Sequence, residues 1–138
     1  MNQRVHVVRP HFLAPLLREP EATWRLVHEM SGHVLATCVH SAFDSASRRT
    51  GLLTQAAWPA GSALIIAPCQ AVHTVGMQFA IDVVFVDRRG RVVKVREAVR
   101  PWRIAAALTA FAVVELPAGS VGGTARRGDT LSLVRKAA

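Results

Sequence analysis

From Phe79 to Val86 nearly every side chain is apolar. On an extended chain Phe79, Ile81, Val83 and Phe85 share one face, and Ala80, Asp82, Val84 and Val86 share the other. The pattern predicts a strand covered on both sides, with Asp82 as its single carboxylate. A desolvated carboxylate must find a donor, a cation or a proton. His73 and Thr74 are near in the chain and Arg49 is remote; the alternative is that Asp82 ties down a loop through backbone N–H groups.

Shorter runs flank this strand. Trp24 to His28 and His33 to Val39 read as a hairpin turned by Gly32, and the alternation in the second run makes Cys38 a small buried hydrophobe. Ser41 to Asp44 offers N-caps for a short helix over Ala46 to Gln55, interrupted at Gly51. With Leu52 and Leu53 turned inward, Arg48 and Arg49 take different faces and one of them reaches the body. Ala63 to Ala67 is a buried strand. Asp87 and Gly90 close a hairpin whose return strand is Arg91 to Glu97, with Val93 and Val95 inward. Ile104 to Leu108 reads as a helical turn. Phe111 to Leu116 is a strand that places a second carboxylate, Glu115, in an apolar run, and Thr130 to Val134 is the last strand. The expectation is a mainly β (α+β) domain: compact, barrel-like and antiparallel, with one or two short helices, over residues 23–138. Residues 1–22, with Pro10, Pro15 and Pro20, form a loosely held N-terminal arm in which Phe12, Leu13, Leu16 and Leu17 pack as one short turn.

Composition narrows the class. A chain of 138 residues suits one domain with a core that needs no disulfide. No apolar run approaches the ~20 residues that span a bilayer, and no signal-peptide pattern is visible, so a cytoplasmic protein is expected, with Cys38 and Cys69 as free thiols. Lys and Arg number 17 against 9 Asp and Glu, a formal charge of +8 carried almost wholly by arginine. That charge is open to nucleic acid, anionic lipid or an acidic partner. The cations are scattered without interleaved aromatics, which disfavours nucleic acid.

Candidate chemistry gathers in Ala67 to Asp87, where Cys69, His73 and Met77 follow Pro68 at intervals of four. β-Branched Val72, Thr74 and Val75, with Gly76, favour a loop or strand over a helix. Three uses compete. The leading one is a non-enzymatic binding or accessory module for an unknown small ligand or protein partner, with no cofactor. Its pocket joins Arg49, Cys69, His73, Thr74, Met77, Asp82 and Glu115, and an Arg49–Asp82 ion pair is the purely structural alternative. Copper or zinc held by Cys69, His73 and Met77 is the second, and needs a further imidazole from His33 or His40. The third is a hydrolase-like enzyme with Cys69 as nucleophile, His73 as base and Asp82 as orienter.

The order of residues resembles domain-of-unknown-function family 192. The resemblance rests on Arg49, Gly51, Leu52 and Leu53; Pro68, Cys69, Val72, His73, Thr74 and Met77; and Phe79, Ile81, Asp82, Val83, Phe85, Asp87, Gly90, Val92 and Val93. It continues through Pro101, Trp102 and Arg103, then Glu115 to Gly119, Gly128 and Asp129, covering Trp24 to Val134. It implies a β-rich barrel-like fold without an assigned activity. Cys69 with His73 is similar to one branch of that family, whose members are often encoded near pilus-assembly genes, which implies a setting in pilus or envelope assembly. The glycine-rich Val121 to Thr124 and the long N-terminal arm depart from the family pattern.

Overall fold

The computed structural model describes residues 10–137. The elements run α1 (Ala14–Arg18), β1 (Trp24–His28), β2 (Val34–Ala36), β3 (Cys38–Ala42), α2 (Ser45–Thr50), β4 (Ser62–Ile66) and β5 (Ala71–His73). They continue with β6 (Ile81–Val86), β7 (Val92–Val99), β8 (Ile104–Ala106), β9 (Ala112–Pro117) and β10 (Leu131–Arg135). Three sheets result, in the orders β10-β1-β2, β3-β4-β9-β6-β7 and β5-β8. The β3–β4 pairing is parallel and the other strand pairings are antiparallel.

The central strands β6 and β9 set the architecture. All six residues of β6 are buried, and alternation sends Ile81, Val83 and Phe85 into one hydrophobic layer and Val84 and Val86 into the other. β9 divides the same way, Val113 into the first layer and Ala112, Val114 and Leu116 into the second. The five-stranded sheet is therefore a partition between two cores. One is completed by β10-β1-β2 and the N-terminal segment, through Leu26, Leu131, Phe12, Leu13 and Leu16. The other is completed by Leu52, Val72, Met77 and Ala105, from the α2 loop and the β5-β8 sheet. Each of the larger side chains, fully buried, contributes about 1.5–3 kcal/mol.

A closed barrel has one interior, so the barrel-like expectation is corrected. The mainly β class with two short helices holds, but the sheets stay separate, and an isolated Arg91–Thr130 bridge is what joins the start of β7 to the start of β10. Other departures have local causes. The run His33 to Val39 divides at Thr37, because Thr37 and Cys38 both donate to the Gly61 carbonyl, at 2.8 and 3.0 Å, before β3 turns to pair with β4. Gly61 has φ +81°, and a Cβ there would lie 2.8 Å from Thr37 Oγ1, so glycine is required. Cys38 then falls on an edge strand, half-buried, with Sγ 3.5 Å from His40 Nε2, and is not the buried hydrophobe expected. Ile104 to Leu108 begins as strand, not as a helical turn, because Val72 pairs with Ala105. Val93 and Val95 pack on opposite layers, since the β6–β7 register shifts between Phe85 and Val86. Of the expected N-terminal turn, Phe12, Leu13 and Leu16 are in the core while Leu17 is exposed; residues 1–9 of the expected arm lie outside the described residues.

Candidate functional site

The helix α2 starts because Asp44 caps it, its carboxylate accepting the Ser47 N–H at 2.8 Å. It stops at Gly51, whose φ of +46° turns Leu52 down into the core. Two consecutive arginines on so short a helix must diverge. Arg48 is the one that turns in: Nη1 donates to the Phe43 carbonyl at 2.6 Å and to that of Ala67 at 3.5 Å. Arg49 is exposed, and among the described residues its guanidinium has no hydrogen-bond or ion-pair partner. Facing α2 is the segment from Pro68 into β5. Between them lies a cavity of about 160 Å³, lined on the helix side by Arg48, Arg49 and Leu52 and on the other by Cys69, Val72, His73 and Met77, with Glu115 in its wall.

Glu115 is the unusual group. It sits in the middle of β9, paired across the sheet with Leu64 on one side and Val83 on the other. Only 4% of it is exposed, and its Oε2 is buried with no hydrogen-bond partner among the described residues. Burial among aliphatic neighbours pushes its carboxyl up to about 7. Cys69, half-buried, donates its thiol to the Ala71 carbonyl at 3.1 Å. Burial raises the Cys69 thiol above its ordinary value, the Glu115 charge adds to this, and the Arg48 guanidinium opposes it.

Five of the expected site residues thus share one cavity: Arg49, Cys69, His73, Met77 and Glu115. Asp82 and Thr74 do not. Strand parity puts Asp82 on the opposite side of the sheet from Glu115, because Asp82 pairs with Leu116 while Val83 pairs with Glu115. There it is wholly buried, Oδ1 accepting from Ala98 N at 2.8 Å and Oδ2 from Val121 N at 2.9 Å. The Ala98 N–H is one that the β6–β7 ladder leaves over, where the register shifts between Ile81 and Val83 and Ala98 takes φ +49°. Asp82 therefore follows the alternative, in which backbone N–H groups hold a loop, and the Arg49–Asp82 pair is absent. Thr74, 1% exposed, holds the Arg100 to Arg103 turn by hydrogen bonds to its backbone.

The same placement does not assemble the expected nucleophile system. Asp82 is across the sheet from Cys69 and His73, the His73 imidazole makes no hydrogen bond to a described residue, and the raised thiol is the reverse of an activated nucleophile. For a metal, His40 is not in the cavity lining, its ring 5.3 Å from that of Trp58. His33 lies beside the β1–β2 turn, its carbonyl accepting from His28 N. No group of three His, Cys, Asp or Glu side chains suited to a metal occurs among the described residues. Arg48, which the sequence left level with Arg49, is the arginine that organises the cavity wall.

Residues 26–133, most of this two-layered domain, match DUF192, described as "Uncharacterized ACR". The chain belongs to the DUF192 family. Its fold is similar to a protein of unknown function from Novosphingobium aromaticivorans, with a TM-score of 0.68 and 20% identity, covering 80% of this chain and 83% of that one. It is also similar to a protein from Sinorhizobium meliloti called a candidate transcription regulator, with a TM-score of 0.69 and 22% identity over 81% and 92% of the two chains. At these identities the likeness is one of fold. No curated protein matches the sequence. DUF192 membership thus gives the Glu115 cavity a family frame without a ligand.

Proposed function

We propose that this DUF192 chain is a binding module that holds a compact organic molecule in the Glu115 cavity, with a hydrogen-bond donor of the ligand, best an ammonium, resting on Glu115 Oε2. The observation that carries the reading is that oxygen, buried and without a partner among the described residues, on a side chain that lines a cavity. Native proteins rarely leave a buried polar atom unpaired, and doing so costs about 1–3 kcal/mol, more for a charge. At about 160 Å³ the space is near the roughly 150 Å³ of an apolar cavity that takes up benzene. The Arg49 guanidinium in the same lining, without a partner among the described residues, offers a place for an acceptor at the ligand's other end. Binding is preferred to catalysis because the cavity supplies a thiol made less acidic and no base bonded to it. We place the protein in the cytoplasm, where Cys38 and Cys69 stay reduced.

The test is an NMR titration of isotopically labelled protein with benzylamine, benzyl alcohol and benzoate, three probes of similar size with different polar groups. Benzylamine is expected to shift the amides of Leu64, Cys69, Val72 and Glu115, benzyl alcohol to do so weakly, and benzoate not at all. Glu115→Gln should weaken benzylamine by roughly 10- to 100-fold, the value of a hydrogen bond to a charged group. Equal affinity for all three probes, no shift with any of them, or an unchanged benzylamine affinity in the variant would overturn the proposal.

A further inference from the structure

The small β5-β8 sheet displays large apolar side chains on the side away from the core. Val72 and Ala105 point inward and are buried, while Ile104 is 73% exposed; Trp102 and Leu108, at either end of β8, are 67% and 84% exposed. Val75, just after β5, is exposed beside them. Isolated exposed hydrophobics need no explanation. Three of the largest, at even-numbered positions along about 20 Å of chain, do.

Trp102 is moreover held in a costly conformation. Its φ is +65°, a region that disfavours a bulky L-residue by about 1–2 kcal/mol. Buried Thr74 keeps it there. The Thr74 N–H donates to the Arg103 carbonyl at 2.8 Å, and the Thr74 carbonyl accepts from Trp102 N at 3.0 Å. The Thr74 hydroxyl donates to the Arg100 carbonyl at 2.6 Å and accepts from Arg103 N at 2.9 Å. None of these bonds uses the indole, so an outward tryptophan gains nothing from them. The two segments that carry the ridge hold cations and no carboxylate. Arg100 and Arg103 flank Trp102, the Lys94 ammonium donates to the Ala106 carbonyl at 2.7 Å, and neither 67–81 nor 98–111 contains an Asp or Glu.

We infer that this ridge docks on the surface of an anionic lipid bilayer, with Trp102, Ile104 and Leu108 entering the interfacial layer and Arg100 and Arg103 against lipid phosphates. The side chains stand out from an outer strand instead of lining a groove, tryptophan favours the membrane–water interface, and a lipid surface needs no matching shape. The charge complement is the anionic leaflet, reinforced by the formal +8 of the chain.

Vesicle flotation tests this. The full chain should float with vesicles of roughly one part phosphatidylglycerol to two of phosphatidylcholine at about 50 mM salt, lose most binding at about 500 mM, and ignore pure phosphatidylcholine. The triple variant Trp102→Ala, Ile104→Ser, Leu108→Ser should bind at least tenfold less while keeping the wild-type circular dichroism melt, since these side chains are exposed. Trp102→Ser alone is the second variant, expected to lose several-fold. Wild-type protein that stays off anionic vesicles at low salt would overturn the inference and leave the ridge to a protein partner. So would apolar variants that float as well as wild type, since charge alone would then account for binding.

Discussion

Glu115 should make this protein less stable as the pH rises through neutrality. Its carboxyl is raised from 4.5 to about 7 by burial. One pKa unit corresponds to about 1.4 kcal/mol, so the folded and unfolded states differ by roughly 3 kcal/mol in their preference for the protonated form. Between those two values the folded chain holds a proton that the unfolded chain has released, and stability therefore falls with increasing pH. The favourable contribution is complete below the unfolded value and gone once the pH passes the folded one. Glutamine has the shape of the protonated acid and does not titrate. Urea or thermal unfolding of wild type and Glu115→Gln at steps from about pH 4.5 to 8 should give profiles whose difference grows by roughly 3 kcal/mol in favour of the variant. For a chain of this size that is a Tm difference of roughly 10 °C. A Cys69→Ser background removes the thiol on which the Glu115 charge acts. Profiles that stay parallel within about 0.5 kcal/mol would refute the reasoning, because they would mean that water already solvates the carboxylate. A bound amine, by pairing with the ionised form, should restore the stability lost at high pH.

Asp82→Ala removes the acceptor of two backbone N–H groups at 2.8 and 2.9 Å. At about 1.5–3 kcal/mol for each bond to a charged group, it is expected to cost roughly 3–5 kcal/mol in urea unfolding, and a loss below about 1 kcal/mol would show that Asp82 is not the clasp described. Cys69 should react with iodoacetamide at neutral pH several-fold more slowly than a free thiol such as glutathione; a faster reaction would reinstate the nucleophile reading.

Much of the β content was legible because it is written locally. The hairpin at Asp87 to Gly90 follows from its turn chemistry: Asp87 Oδ1 accepts from Arg89 N and Arg91 N, and Gly90 takes φ +82°. A Cβ at Gly90 would also collide with the Leu131 carbonyl and the Phe12 ring. The α2 start follows from Asp44 in the same way, but the helix expected to reach Gln55 ends at Thr50, with Gly51 stopping it instead of interrupting it. What local pattern did not carry is where a strand goes after it forms. His33 to Val39 has the alternation of one strand, but its division at Thr37 depends on the Gly61 carbonyl, 24 residues away. Ile104 to Ala106 has helical composition and becomes strand only because β5 is present to pair with it.

The candidate site was legible to the same depth and failed at the same place. Periodicity shows that β6 and β9 bury both faces, hence that Asp82 and Glu115 are both desolvated carboxylates. It cannot say which of them faces the thiol, since the two layers flanking a doubly buried sheet are equally apolar. Register decides it. With Val83 opposite Glu115, the two acids fall on opposite sides of the partition. Asp82 then meets the Ala98 N–H freed by an irregular ladder and the Val121 N–H of the segment after β9, whereas Glu115 meets Leu64, Val83 and open space. One residue of slip would exchange the two environments. The contrast also separates their roles: a carboxylate that completes a backbone has its donors within the chain, and one left over at a cavity wall has to take its donor from outside.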